Sequence, residues 1–124
     1  MRLLLVPWSG MPGFMLRIYR LPLRSGHPEV EISTFKGQTI ALRLLEKYAA
    51  EKKLATFNPE HSLRIAVEVT LPEDVANRIL KAISALSEVK PSILRRKVFD
   101  ELAENPSLEE LERVLAIIKL VNGG

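Results

Sequence analysis

The segment Leu63–Thr70, LRIAVEVT, places the strongest constraint on the fold. Its odd positions carry large aliphatic residues, and its even positions carry smaller or polar ones. Successive side chains of a strand point to opposite faces of the sheet, so this alternation predicts a strand with one buried and one open face. Half-buried strands are typical of antiparallel sheets, which pack one face on the core and leave the other to solvent.

Three earlier segments also predict strands. Residues 2–7 are apolar on both faces, and residues 14–21 follow the turn-forming stretch SGMPG, so the two segments predict a hairpin. Residues 29–35 alternate polar and apolar side chains after a second turn, RSGHP. The sequence therefore predicts four strands.

Apolar side chains at helical spacing predict helices in the rest of the chain. One helix is expected over residues 38–54 and a second over about residues 73–88, ended by Pro91. The last 34 residues contain two stretches that open with Pro-Ser and predict a helical hairpin joined at Asn105 and Pro106.

This order of elements predicts the α+β class: a four-stranded, mainly antiparallel sheet with helices packed on one face and a C-terminal helical hairpin. The 124 residues are expected to form a single domain, 1–124, in which 1–71 form the sheet with one helix and 72–121 form a helical C-terminal part. The open face of the sheet is then left for solvent, for a ligand or for another subunit.

Motifs for catalysis are missing from the sequence. The chain has no cysteine, and its two histidines, His27 and His61, stand beside prolines without other metal ligands at a suitable spacing. It contains no phosphate-binding glycine loop and no nucleophile elbow. We therefore expect a protein that is not an enzyme and that needs neither a metal nor a cofactor.

No apolar stretch approaches the length of about 20 residues that spans a membrane, so we expect no membrane partner. The absence of cysteine fits a reducing, cytoplasmic location. A single glutamine among many charged residues is typical of proteins from thermophiles.

Positive charge is concentrated at the start of the chain. The net charge is +3 and the isoelectric point is near 9.4, and residues 1–28 contain Arg2, Arg17, Arg20 and Arg24 without any acidic residue. A local basic patch indicates a polyanion partner. The alternative is an edge strand that carries positive charge to prevent aggregation.

Strand parity divides this basic segment into two sets. Phe14, Leu16, Ile18 and Arg20 share one side of their strand and are predicted to face the helices, so that Phe14, Leu16 and Ile18 belong to the core. Arg17 and Tyr19 then lie on the open face.

Arg2 and Trp8 in the first strand, and Arg64 in the last, have the parity of the open face, while Arg20, Arg24 and Lys36 are expected at its rim. Aromatic rings that stack bases, combined with arginines that follow phosphates, are what single-stranded nucleic acid requires. Alternatively, Trp8 and Tyr19 belong to the core or to a subunit interface.

Glu31 and Glu68 would repel phosphate if they shared the open face with these arginines. Their position is therefore the main objection to nucleic-acid binding there.

A second basic cluster, Arg95–Lys97, stands in the first turn of a predicted helix, where the helix dipole disfavours positive charge. One interpretation is contact with phosphate or with an acidic partner. The other is pairing of Arg96 with Asp100 and of Lys97 with Glu101 along the helix.

The candidate nucleic-acid-binding residues are Arg2, Trp8, Arg17, Tyr19, Arg20, Arg24, Lys36, Arg64, Arg95, Arg96 and Lys97. The last helix, which is apolar over a wide surface, is expected to contribute to the interface of a homo-oligomer, a dimer or a tetramer.

The aromatic-rich start, with VPW and GFMLRIYR, the four predicted strands, the helix between the third and fourth strands and the helical C-terminus together resemble the ThermoDBP-related single-stranded DNA-binding proteins of hyperthermophilic archaea. The resemblance covers most of the chain and is architectural. It implies sequence-tolerant binding of single strands, homo-oligomers and no cofactor.

Three hypotheses remain. The first is non-catalytic binding of single-stranded DNA or RNA by a basic, aromatic-bearing sheet face in a homo-oligomer. The second is a protein–protein interaction or assembly module without nucleic-acid binding, and the third is a small nuclease or other enzyme with an unrecognised site.

Overall fold

The computed structural model describes residues 1–10, 13–24, 26–58 and 63–121. Within these residues there are five strands and five helices, which follow one another as β1 (Arg2–Gly10), β2 (Gly13–Leu21), β3 (Val30–Ile32), α1 (Phe35–Tyr48), β4 (Glu51–Phe57), β5 (Arg64–Thr70), α2 (Glu73–Ser87), α3 (Pro91–Leu94), α4 (Lys97–Glu104) and α5 (Leu108–Val121). The α+β class with an antiparallel sheet is confirmed, but the prediction of four strands is wrong, because the sheet has five.

The strands lie side by side in the order β3-β2-β1-β5-β4, and every neighbouring pair is antiparallel. β1 is the central strand: Arg2 lies opposite Leu21 of β2 on one side and opposite Thr70 of β5 on the other. The expected hairpin of the first two strands is therefore present, with Gly10 opposite Gly13 at its closed end.

The predicted helix over 38–54 is wrong at its C-terminal end, since α1 stops at Tyr48 and residues 51–57 form β4. A longer helix would present Glu51 and Lys52 on the side where the apolar stripe of α1 faces the core. As a strand, the same segment pairs with the free edge of β5 along its whole length and satisfies backbone groups there.

The main core lies between the helices and one face of the sheet. Its strand residues include Leu3, Leu5, Leu16 and Ile18, all almost fully buried. Helices α1 and α2 supply the opposite wall. The predictions that helices cover one face and that Leu16 and Ile18 point towards them are confirmed.

The helical C-terminal part departs from a simple hairpin. The first predicted helix is broken at Arg95 and Arg96 into α3 and α4. Leu94 and Phe99 are both buried, although two residues five positions apart point about 140° away from each other in a straight helix. The break therefore lets both side chains reach the core.

The last two helices each make their main contacts with a different helix. α4 makes its main contacts with α1, and α5 packs on α2. In the first half of α5, Leu108 and Leu111 are buried, whereas Leu120 and Val121 near its end are exposed. Within the described ranges, no helix is long and apolar enough to cross a bilayer.

Candidate nucleic-acid interface

The open face is the side of the sheet that carries no helix. Strand alternation places on it Arg2, Leu4, Val6 and Trp8 of β1, Met15, Arg17, Tyr19 and Leu21 of β2, Glu31 of β3, Glu51, Lys53, Ala55 and Phe57 of β4, and Arg64, Ala66, Glu68 and Thr70 of β5. Leu4, Val6, Tyr19 and Ala66 form a second, smaller core there. The open face is thus partly apolar, with charged groups around the apolar centre.

Trp8 lies between two arginines from the strands on either side of β1. The guanidinium carbon of Arg17, on β2, is 4.1 Å from the centroid of the indole ring, and that of Arg64, on β5, is 3.9 Å from it. At these distances both contacts are cation–π interactions. The structure therefore joins three predicted site residues from three neighbouring strands into one stack, here called the Arg17–Trp8–Arg64 stack.

The guanidinium groups of Arg17 and Arg64 are partly buried against Trp8. The Nε atoms of Arg17 and Arg64 are buried and make no hydrogen bond, and no side-chain hydrogen bond from either arginine is found in the described part of the chain. Both side chains remain partly exposed, that of Arg17 to 25%. A partly exposed guanidinium group can donate paired hydrogen bonds to a phosphate group.

The two acidic residues that argued against the site do lie on the open face, and each is paired with a cation. A carboxylate oxygen of Glu31 is 3.7 Å from Nε of Arg17. Glu68 is nearly buried and lies 3.9 Å from Arg2 and 3.4 Å from Lys53. Glu68 is therefore screened by two cations, and among the described residues Glu31 is the acidic group that pairs with the stack.

Tyr19 has the predicted parity, but only 2% of its surface is exposed. Its ring contacts that of Phe57, with the centroids 4.8 Å apart. The ring is therefore part of the small core beneath the open face and has no free surface on which a base could stack. The expected role of Tyr19 in direct contact does not fit this burial.

Two exposed aromatic side chains lie beside Trp8. Phe14 is 78% exposed and Phe35 is 86% exposed, and both line a groove of about 560 Å³ that also includes Trp8 and Met15. The prediction that Phe14 belongs to the core is wrong: Gln38 of α1 donates a hydrogen bond to the carbonyl oxygen of Phe14, but the phenyl ring stays exposed. Neither ring was among the candidate residues. Parity placed Phe14 on the helix-facing side, so its position next to the turn SGMPG was the only signal of its exposure.

The predicted rim residues lie elsewhere. Arg20 faces the helices, where it is 3.2 Å from a carboxylate oxygen of Glu29 and 3.5 Å from Oδ1 of Asn77. Lys36, on α1, forms an ion pair with Asp100 of α4. Arg24 is exposed after the end of β2. Arg20 and Lys36 are therefore engaged within the fold and are not brought to the open face.

Arg95, Arg96 and Lys97 lie at the junction of α3 and α4, in the helical layer on the other side of the sheet. The structure does not bring them to the Arg17–Trp8–Arg64 stack. Conversely, Lys53 reaches the open face although sequence reasoning placed it on a helix.

Among the described residues there is no group of three or more histidine, cysteine, aspartate or glutamate side chains that could hold a metal ion. His61 lies outside the described residues.

Comparisons with protein-family models, with curated proteins and with solved structures give no significant match. The geometry of the open face therefore carries the functional conclusion.

Proposed function

We propose that this chain binds single-stranded nucleic acid, DNA or RNA, at the Arg17–Trp8–Arg64 stack on the open face, without catalysing a reaction. The observation that carries the proposal is the stack itself: two partly exposed arginines 4.1 Å and 3.9 Å from one indole ring. In this arrangement the arginines bind phosphates, and the planar groups offer surfaces to bases.

The two guanidinium carbons are at most 8.0 Å apart, because they lie 4.1 Å and 3.9 Å from the same ring centroid. Both can therefore contact one short stretch of a sugar–phosphate backbone. Bases of a single strand can turn towards the exposed Phe14 and Phe35, whereas bases in a duplex are already stacked on each other. Preference for single strands follows from this difference.

The resemblance to ThermoDBP-related proteins supports this proposal. It implies a small basic domain that binds single strands with an aromatic-bearing sheet and without a cofactor. A cytoplasmic location and an origin in a heat-adapted organism are part of the same proposal and are supported by composition alone.

Fluorescence anisotropy of a labelled oligothymidine tests the proposal at low salt. We expect Arg17→Gln combined with Arg64→Gln to weaken binding by at least about tenfold, which is the loss of about 1.4 kcal/mol. The matched control, Arg20→Gln combined with Lys81→Gln, removes the same charge from the helical side and should change the affinity by no more than about twofold. Absence of binding to the unmodified chain, or equal loss in both double variants, would refute the proposal.

Assembly into a dimer or a tetramer is a further part of the proposal. Its support is a set of exposed aliphatic side chains on the helix-facing side of β4 and β5 and just before β5: Leu54, Leu63 and Ile65 are 79%, 71% and 71% exposed. Apolar surface of this kind is usually covered in an oligomer. Light scattering should give a mass above the 14.0 kDa of one chain, and Leu54→Ser with Ile65→Ser should lower it; a monomer before substitution would contradict assembly.

A further inference from the structure

An apolar cavity of about 260 Å³ opens between α3, α4 and α5. Ile93, Phe99, Val114, Ile117 and Val121 form most of its lining. For comparison, an engineered apolar cavity of about 150 Å³ in another protein holds a benzene molecule. The present cavity is therefore large enough for one bulky apolar side chain.

Arg96 lines this cavity and is the middle one of three consecutive cations, Arg95, Arg96 and Lys97. All three are exposed. Arg113, the other cation in the lining, is engaged with Glu110. Among the described residues, Arg96 is therefore the cation of the lining without an ion pair, and Arg95 and Lys97 are its neighbours in the chain.

The internal pairing expected for these cations is not formed. Asp100 pairs with Lys36 instead of Arg96. Within the described ranges, no side-chain hydrogen bond or ion pair of Arg95, Arg96 or Lys97 is found. The positive end of the α4 dipole lies at the same place and disfavours them, so helix stability does not account for this cluster.

We propose that this cleft docks an acidic segment of a partner protein, with one aliphatic or aromatic side chain in the cavity and carboxylates on Arg95, Arg96 and Lys97. The charge of the cluster and the apolar lining together select for such an amphipathic anion. Nucleic acid fits less well, because Phe99, the aromatic residue in the lining, is fully buried and offers no ring for a base.

The probe for this proposal is a labelled peptide of eight aspartates interrupted by a central Leu-Phe pair. We expect saturable binding at low salt, weakened at least tenfold by the triple variant Arg95→Gln, Arg96→Gln and Lys97→Gln, which corresponds to the loss of about 1.4 kcal/mol. The control variant Arg24→Gln, Lys81→Gln and Lys119→Gln removes the same charge from other exposed positions and should keep the affinity within about twofold. Replacing the Leu-Phe pair of the peptide by Ser-Ser should also weaken binding to the unmodified chain.

Equal loss in the two triple variants would show attraction by net charge alone and overturn the proposal. Equal affinity for the Leu-Phe and the Ser-Ser peptide would show that the cavity is not used, and would also overturn the proposal. If the peptide does not bind, and light scattering shows self-association that only the first triple variant abolishes, the cleft binds a second copy of the chain. If oligothymidine binding is lost in that variant while peptide binding persists, the cluster binds phosphate and the peptide proposal is wrong.

Discussion

The ring of Tyr19 lies 4.8 Å from the ring of Phe57, centroid to centroid, although β1 and β5 separate their strands. Adjacent strands are about 4.8 Å apart, so two such rings meet only when they lean over the strands between them. Ala66 of β5, in that interval, has a small side chain that leaves space for the rings. Val6 is buried in the same cluster, and Trp8 and Phe57 pack against it.

Substitution of Phe57 by alanine is expected to destabilise the fold by about 2 kcal/mol, below the usual range for Phe→Ala because the side chain is only partly buried. Urea denaturation followed by circular dichroism measures this change. The control Phe14→Ala, at a position 78% exposed, should shift stability by no more than about 0.5 kcal/mol. Equal effects of the two substitutions would show that Phe57 does not secure the open face.

Gly37 in α1 has no room for a side chain. A Cβ added there would lie 2.6 Å from Oγ1 of Thr34 and 2.9 Å from Cγ2 of the buried Ile32. We expect Gly37→Ala to lower the free energy of unfolding by about 1–3 kcal/mol, despite the helix propensity of alanine. Gly26→Ala, where the added Cβ has no neighbour within 4 Å, is the control, and a stabilised Gly37→Ala protein would contradict the expected clash.

Glu31 is expected to limit the affinity for nucleic acid, because its carboxylate neutralises Arg17 at 3.7 Å and repels phosphate. Glu31→Gln should therefore strengthen oligothymidine binding by up to about fivefold, equivalent to about 1 kcal/mol. Glu29→Gln frees Arg20 on the helical side and should have less effect, although it alters net charge equally. The same anisotropy titration measures both, and weaker binding of Glu31→Gln would count against phosphate contact at Arg17.

The hydrogen bond from Arg113 holds the pKa of the Glu110 carboxyl below its ordinary value of 4.5. A depressed pKa in the folded state stabilises the fold above the unfolded pKa, and this contribution disappears as the pH falls through the folded value. Glu110→Gln should therefore melt at a lower temperature than the unmodified chain at pH 7, with a difference that shrinks below about pH 4.5. A difference that is unchanged at pH 3 would indicate another cause.

Side-chain parity made much of the open face predictable. Alternation in LRIAVEVT put Arg64 on the same side as Trp8 and Arg17, and the antiparallel register brings these three together. Parity could not show that Tyr19 would be buried, because its cover, Phe57, lies on a strand that the sequence did not indicate.

The failure to predict β4 from the sequence has a physical reason. Residues 49–54, AAEKKL, are all favourable in a helix, and neither glycine nor proline separates them from α1. Pairing with the free edge of β5 stabilises the strand more than the local preference stabilises a helix.

The cleft beside Arg96 was likewise not predictable from the sequence. It depends on the break between α3 and α4, which places both Leu94 and Phe99 in one core.

Trp8 is the only tryptophan in the chain, so its fluorescence reports on the proposed site without a label. Titration with unlabelled oligothymidine at two salt concentrations is the most direct measurement. We predict a saturable change in Trp8 emission that weakens with salt and is smaller for a duplex of equal length. We also predict that the slope of log affinity against log salt falls by about 0.7 for each of Arg17 and Arg64 replaced by glutamine. Unchanged Trp8 emission at oligonucleotide concentrations that saturate anisotropy would place binding elsewhere and contradict the account.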